Sequence, residues 1–251
     1  MKKTVENKNK IKKAIITALS IAQLVIVGCG NDNWIPTSHI VFVDYTTSCN
    51  ALDDINSENV KKRILSIAEN LKKEDQLVVY PIHAYTQSAS PIVTIKPPVL
   101  NGDLRDSQRK KEWKNMLAPE IEKVINYVFS DEALAGTNVF AAMRKANRSL
   151  KNGVNIKLYF ISDMIHEFRD LSFKNVFPAM NESDMISLAE DKANTYCPDQ
   201  TLKDVDVDIY LPGRPEGNPQ YTEDLYHSVN CFWEEFFSNA GTSVKIRELK
   251  A

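Results

Sequence analysis

Five oxygen-bearing side chains in three separate segments have the types and spacing to hold a hard cation. Asp44, Thr46 and Ser48 alternate directly after the apolar run at 40–43. Thr137 stands in the tripeptide Gly136-Thr137-Asn138, and Asp163 follows the run KLYFIS. Carboxylates and hydroxyls are the ligands that Mg2+ takes, at roughly 2.0–2.1 Å in octahedral geometry. With so few formal charges around it, an ion held by this set would still seek one more anionic oxygen. Each segment alone has a plainer role, because Asp, Thr and Ser all cap helices and aspartates commonly end strands. Their joint value depends on whether the chain brings them together.

The elements around them say that it does. Residues 40–43 form a continuous apolar run, the pattern of a strand covered on both faces. Val60, Ile64, Ile67, Ala68 and Leu71 share one helical face, with Ser57 as the expected N-cap. The runs 77–80 and 91–95 read as short strands that pair as an antiparallel edge. A helical region over 107–129 is expected to break or restart at Pro119. Val139, Met143, Ala146 and Leu150 mark a helix starting near Thr137, and the strand after it ends in Ser162-Asp163. A helix over 183–195, a strand over 205–211, a long helix striped by Leu225, Val229, Phe232, Trp233 and Phe236 up to Gly241, and an edge strand at 244–249 complete the chain. Strands alternating with helices imply an α/β fold: a doubly wound, mostly parallel sheet with one antiparallel edge strand and helices on both faces. In such sheets ligands bind beyond the carboxyl ends of the strands, where all three oxygen-rich segments fall.

The first 28 residues read as an address. Six lysines and one glutamate precede an uncharged stretch at 14–28, shorter than the roughly 20 residues of a comfortable membrane span. Ile26-Val27-Gly28-Cys29 resembles a bacterial lipobox, which implies cleavage before Cys29 and lipidation of its thiol. The expected organisation is a signal peptide over 1–28, a polar tether over 29–38 and one domain over 39–251. The chain would be anchored at the bacterial cell envelope. Gly30 stands in place of the aspartate associated with inner-membrane retention in Gram-negative lipoproteins, which for a Gram-negative source leans towards the outer membrane, facing the periplasm. The net charge of −2 becomes more acidic once the lysine-rich leader is removed, so nucleic acid is not an expected partner. In an oxidising compartment Cys49, Cys197 and Cys231 allow one disulfide and one odd thiol, with three pairings open.

The order D-x-T-x-S, then GTN opening a helix, then an apolar strand ending in SD, resembles the metal-ion-dependent adhesion site of von Willebrand factor A domains. The resemblance spans about 39–249. It implies that Thr46 and Ser48 coordinate a divalent cation directly, Thr137 directly or through water, and Asp44 and Asp163 mainly through bound waters. Mg2+ is the expected ion, with Mn2+ or Ca2+ as substitutes, and a protein partner would supply an acidic side chain as the last ligand. Two departures stand out: Thr46 replaces the first serine, and Met164 follows Ser162-Asp163 where glycine is commoner. The implied function is a membrane-anchored, non-enzymatic binding module.

Asp44-Tyr45-Thr46 also resembles the haloacid-dehalogenase phosphatases, but Thr46 lacks the acid/base carboxyl those enzymes place two residues after the nucleophile. A metal-free structural lipoprotein of the same fold is the other alternative. His166-Glu167-Phe168-Arg169-Asp170 is a near miss to the HExxH zinc motif, with Asp170 where the second histidine is needed. His166 and Glu167 are expected as loop residues near the site, Trp233 and Phe236 as core, and Lys61-Lys62-Arg63 as a solvated helix face.

Overall fold

The computed structural model describes residues 35–44, 53–129, 136–150, 154–169, 171–212 and 222–249. The chain divides into two units, Met1–Ile35 and Pro36–Ala251, and the architecture below is that of the second. Among the described residues, no helix is long and apolar enough to cross a membrane.

The strand run beginning at Thr37 alternates between two sets of apolar side chains. Ile40 and Phe42 belong to one core cluster and Val41 and Val43 to the other, so β1 (Thr37–Asp44) is buried on both faces, as its continuous apolar run requires. It lies between β2 (Gln76–Ile82) and β4 (Asn155–Ile161), parallel to both. β3 (Val93–Ile95) pairs antiparallel with β2, Leu77 facing Ile95. β7 (Asp206–Leu211) and β8 (Val244–Glu248) extend the other side in parallel. The six-stranded order is β3-β2-β1-β4-β7-β8, with a separate two-stranded hairpin of β5 (Glu167–Phe168) and β6 (Leu171–Ser172). This is the doubly wound α/β class the strand and helix periodicities predict, with the antiparallel β2–β3 pair at one edge of the six-stranded sheet.

Among the described residues, helices cover both faces of the sheet. α1 (Asp53–Glu69) and α2 (Asp106–Val128) pack with Val41, Val43, Leu77 and Val79. α3 (Val139–Ser149), α5 (Glu182–Tyr196) and α6 (Glu223–Asn239) pack with Ile40, Phe42, Leu158 and Phe160. The short α4 (Phe173–Val176) joins that second core through Phe173. Trp233 and Phe236 are fully buried there, as expected of their stripe.

Three local expectations need correction. α1 begins at Asp53, so Ser57 lies inside it rather than capping it; its neighbour Asn56, also within the helix, is buried despite being polar. α2 runs through Pro119 without a break. Pro119 is on the exposed face, where water can satisfy the carbonyl that loses its N–H, while Leu117, Ile121, Val124 and Val128 pack continuously on the other face. Finally, Lys61 and Lys62 pair with Glu122 and Glu58, but the Arg63 guanidinium sits 4.2 Å from the centre of the Tyr210 ring, covering the sheet rather than facing water.

Candidate functional site

The chain runs outward from β1 to β2 and β3, then returns to place β4 on the other side of β1. That reversal opens a crevice beyond the carboxyl ends of β1 and β4, the place where doubly wound sheets bind ligands. Asp44 is the last residue of β1, and Ser162 and Asp163 are the first two after β4.

Asp44 and Asp163 are only 2% and 3% exposed, a degree of burial that carboxylates tolerate only when bonded. Ser162, also buried, donates its Oγ–H to Asp44 Oδ2 at 2.6 Å. The same Oγ accepts the Met164 N–H at 2.9 Å, and Asp163 Oδ1 accepts the Ile165 N–H at 3.0 Å. A carboxylate has about four acceptor sites, so one orienting bond is compatible with a cation on the same group. Met164 has φ of +59°, in the left-handed region that favours glycine. This gives the Met-for-Gly departure at 164 a concrete cost, met by the Ser162 bond and by Trp233 Nε1–H, which donates to the Met164 carbonyl at 2.9 Å.

The second strand-end segment is built around Gly136, whose φ of +87° favours glycine and where a Cβ would crowd the Glu167 carbonyl at 3.0 Å. That close approach lets Thr137 and Glu167 exchange backbone hydrogen bonds at 3.0 and 2.9 Å, pinning the loop before α3 to the hairpin after β4. Thr137 is 1% exposed and is not the helix cap; Asn138 takes that role, its side chain accepting the Ala141 N–H at 3.0 Å.

Thus Asp44 and Asp163 stand at adjacent strand ends, and Thr137 is tied to the segment that follows Asp163. Thr46, Ser48 and Cys29 lie outside the described residues, as do Cys49 and Asp170. Cys197 and Cys231 are both free thiols, and burial pushes the Cys197 thiol up to about 12. His166 lies in the loop between β4 and β5, as expected, but it is not exposed there: it is 4% exposed and packs 4.6 Å from the Phe140 ring centre. Burial, with a smaller contribution from Lys192, lowers its pKa to about 4, so the ring is neutral at physiological pH. The roles of Ser162 and Met164 escape sequence reasoning, although the serine was visible as the first residue of the SD pair.

No protein-family model matches the sequence, and no curated protein is detectably similar to it. The fold is similar to that of the human COPII-coat protein Sec24c, with a TM-score of 0.50 and 11% identity over 87% of this chain and 30% of that one. It is also similar to a von Willebrand factor type A protein from Catenulispora acidiphila (TM-score 0.40, 11% identity, 86% of this chain and 39% of that one). The manganese-loaded TRAP protein of Plasmodium vivax is a further neighbour (TM-score 0.40, 10% identity, 80% of this chain and 73% of that one). The chain spans well under half the length of the first two, and at these identities the likeness is one of fold alone.

Proposed function

We propose that this chain is a lipid-anchored, extracytoplasmic binding module that engages an acidic side chain of a protein partner through a divalent cation. The observation that carries the reading is the burial of Asp44, Asp163 and Thr137 at the switch point of the sheet, with Asp44 bonded to the residue that precedes Asp163. The donor set fits the ion: two carboxylates and neutral hydroxyls are hard oxygen ligands suited to Mg2+, with Mn2+ or Ca2+ as substitutes. Asp44, Thr46, Ser48, Thr137 and Asp163 would hold it, and the bound cation would supply an electrophilic point for a carboxylate from outside. Cys29 would carry the lipid, with residues 29–38 as the tether ahead of a domain over 39–251, at the cell envelope and with a lean towards the outer membrane facing the periplasm.

A phosphohydrolase reading draws no support from the residues, because Thr46 stands where an acid/base carboxyl is needed. The module reading is tested by purifying the full chain from detergent-extracted membranes with Mg2+ or with chelator. A partner retained with Mg2+ and released by chelator is expected; equal retention in both would overturn the role of the cation.

A further inference from the structure

Beside the strand-end site lies a cleft of about 900 Å3, between the loop after β2, the start of α3, the β5–β6 hairpin and α5. Its position follows from the sequence: Asn138, next to Thr137, and His166, three residues after Asp163, both line it. Four cationic side chains from three elements also line it: Arg144 and Arg148, one turn apart on α3, Arg169 on the hairpin, and Lys192 on α5. Among the described residues no carboxylate lines the cleft. Lys192 pairs with its exposed neighbour Asp191 at 3.1 Å, whereas no described carboxylate pairs with Arg144, Arg148 or Arg169. Glu167, the acidic residue nearest in sequence to His166, is engaged by Lys174 at 3.0 Å. In a chain of net charge −2, this is positive charge concentrated in one recess rather than spread over a basic surface.

The walls are built in advance. Lys145 Nζ donates to the Ala89 carbonyl at 2.7 Å, fastening the loop after β2 to α3. Buried Thr86 braces the same loop, its Oγ accepting the His83 N–H at 2.7 Å, and the adjacent Tyr85 is left 67% exposed as an aromatic lip. Arg144 lies 4.7 Å over the Tyr196 ring, which itself stacks on Phe140, so this guanidinium is oriented before any ligand arrives. His166 adds an independent sign of a ligand: its Nδ1 is buried and has no hydrogen-bond partner among the described residues, an arrangement native interiors rarely tolerate.

We propose that this cleft receives an extended acidic segment of the partner protein, its carboxylates meeting Arg144, Arg148, Arg169 and Lys192 while an apolar side chain packs against the aromatic wall. A single small anion suits the space poorly, since about 900 Å3 holds the liquid volume of about 30 waters. A flat membrane or a nucleic-acid duplex calls for a broad basic surface rather than a recess. Guanidinium forks pair carboxylates in bidentate fashion, and the interleaved aromatic and aliphatic surface gives a peptide, not a bare ion, something to bury. The inference rests on the binding-module reading for the partner's being a protein, but not on the cation.

The test measures binding of a fluorescent peptide that alternates glutamate with leucine and tyrosine to the full chain, in chelator and in Mg2+. Its glutamine counterpart, inorganic phosphate and phosphatidylglycerol vesicles serve as competitors. Binding that persists in chelator, weakens on raising salt from about 50 to 200 mM, and drops roughly ten-fold or more with the glutamine peptide is expected. Arg144→Glu/Arg148→Glu, both exposed positions, should abolish binding while lowering the melting temperature by no more than roughly 4 °C, the loss of the Arg144–Tyr196 contact, and leaving any Mg2+-induced rise in it unchanged. Equal binding of the glutamine peptide, unaltered affinity in the charge-reversed variant, or full displacement by phosphate or vesicles at concentrations matching the peptide would each overturn the proposal. Loss of a Mg2+ effect alone would overturn only the cation reading.

Discussion

Replacing Ser162 with alanine removes one oxygen that serves two buried groups. Its hydroxyl donates to Asp44 Oδ2 at 2.6 Å and accepts the Met164 N–H at 2.9 Å, with Ser162, Asp44 and Met164 all excluded from solvent. A hydrogen bond to a charged group contributes about 1.5–3 kcal/mol, and depriving a buried donor of its acceptor costs about 1–3 kcal/mol. The two losses share one atom and one loop, so they do not add fully, and a total of about 3 kcal/mol is expected. For a body of this size that lowers the melting temperature by roughly 6–12 °C. Urea unfolding followed by tryptophan fluorescence reads the change directly, because Trp233 is buried and bonded to the Met164 carbonyl. Combining Ser162→Ala with Asp44→Asn isolates the charged bond: the second substitution should cost about 1–2 kcal/mol less in the alanine background than alone. A cost below about 0.5 kcal/mol, the level of an ordinary surface change, or strict additivity would refute the bridging role.

Further outcomes follow from single features. His166 has a folded pKa of about 4 against an ordinary 6.5, so the unfolded chain takes up the proton first and stability falls as pH drops through that window. Between pH 7 and 5 the wild type should lose about 2 kcal/mol more than His166→Gln in urea titrations, and parallel profiles would show that the ring is not buried neutral. Pro119→Ala should stabilise the protein by about 1–3 kcal/mol by restoring a helical hydrogen bond on the exposed face of α2, and a loss of stability would show that α2 needs its proline. Cys29→Ser should leave the precursor at full length in cells, and normal processing with membrane retention would remove the lipid anchor.

The parts of the fold legible from sequence are those set by local periodicity. The run at 40–43 carries the pattern of a strand buried on two faces, and the stripe through Trp233 and Phe236 that of a helix facing a core. Parallel strands place their last residues in a common crevice, which is why Asp44 and Asp163 could be singled out together. What escaped depends on contacts distant in sequence. Ser57 looks like a cap until the helix is found to begin four residues earlier, at Asp53, and Pro119 looks like a break until its outward orientation is known. Arg63 shares a charged run with two solvated lysines but covers Tyr210. At the site, the left-handed backbone of Met164 has no signature in a methionine, and His166 is buried by Phe140 and Phe173, which approach from α3 and α4. The basic cleft gathers residues from three elements, and only the i, i+4 spacing of Arg144 and Arg148 hints at it in the chain.

Whether Asp44 and Asp163 hold a cation is read from thermal melts of the full chain with and without excess Mg2+ or Mn2+, for wild type, Asp44→Asn and Asp163→Asn. Asparagine keeps an oxygen for the Ser162 hydroxyl or the Ile165 N–H, so each variant should remain folded while losing the charge that holds a cation. A ligand at about 100 times its dissociation constant adds about 2.7 kcal/mol to the native state. The wild type should therefore rise by roughly 5–11 °C and neither variant should rise at all. A wild type indifferent to both metals, or variants that rise as much as it does, would contradict a cation held at these two carboxylates.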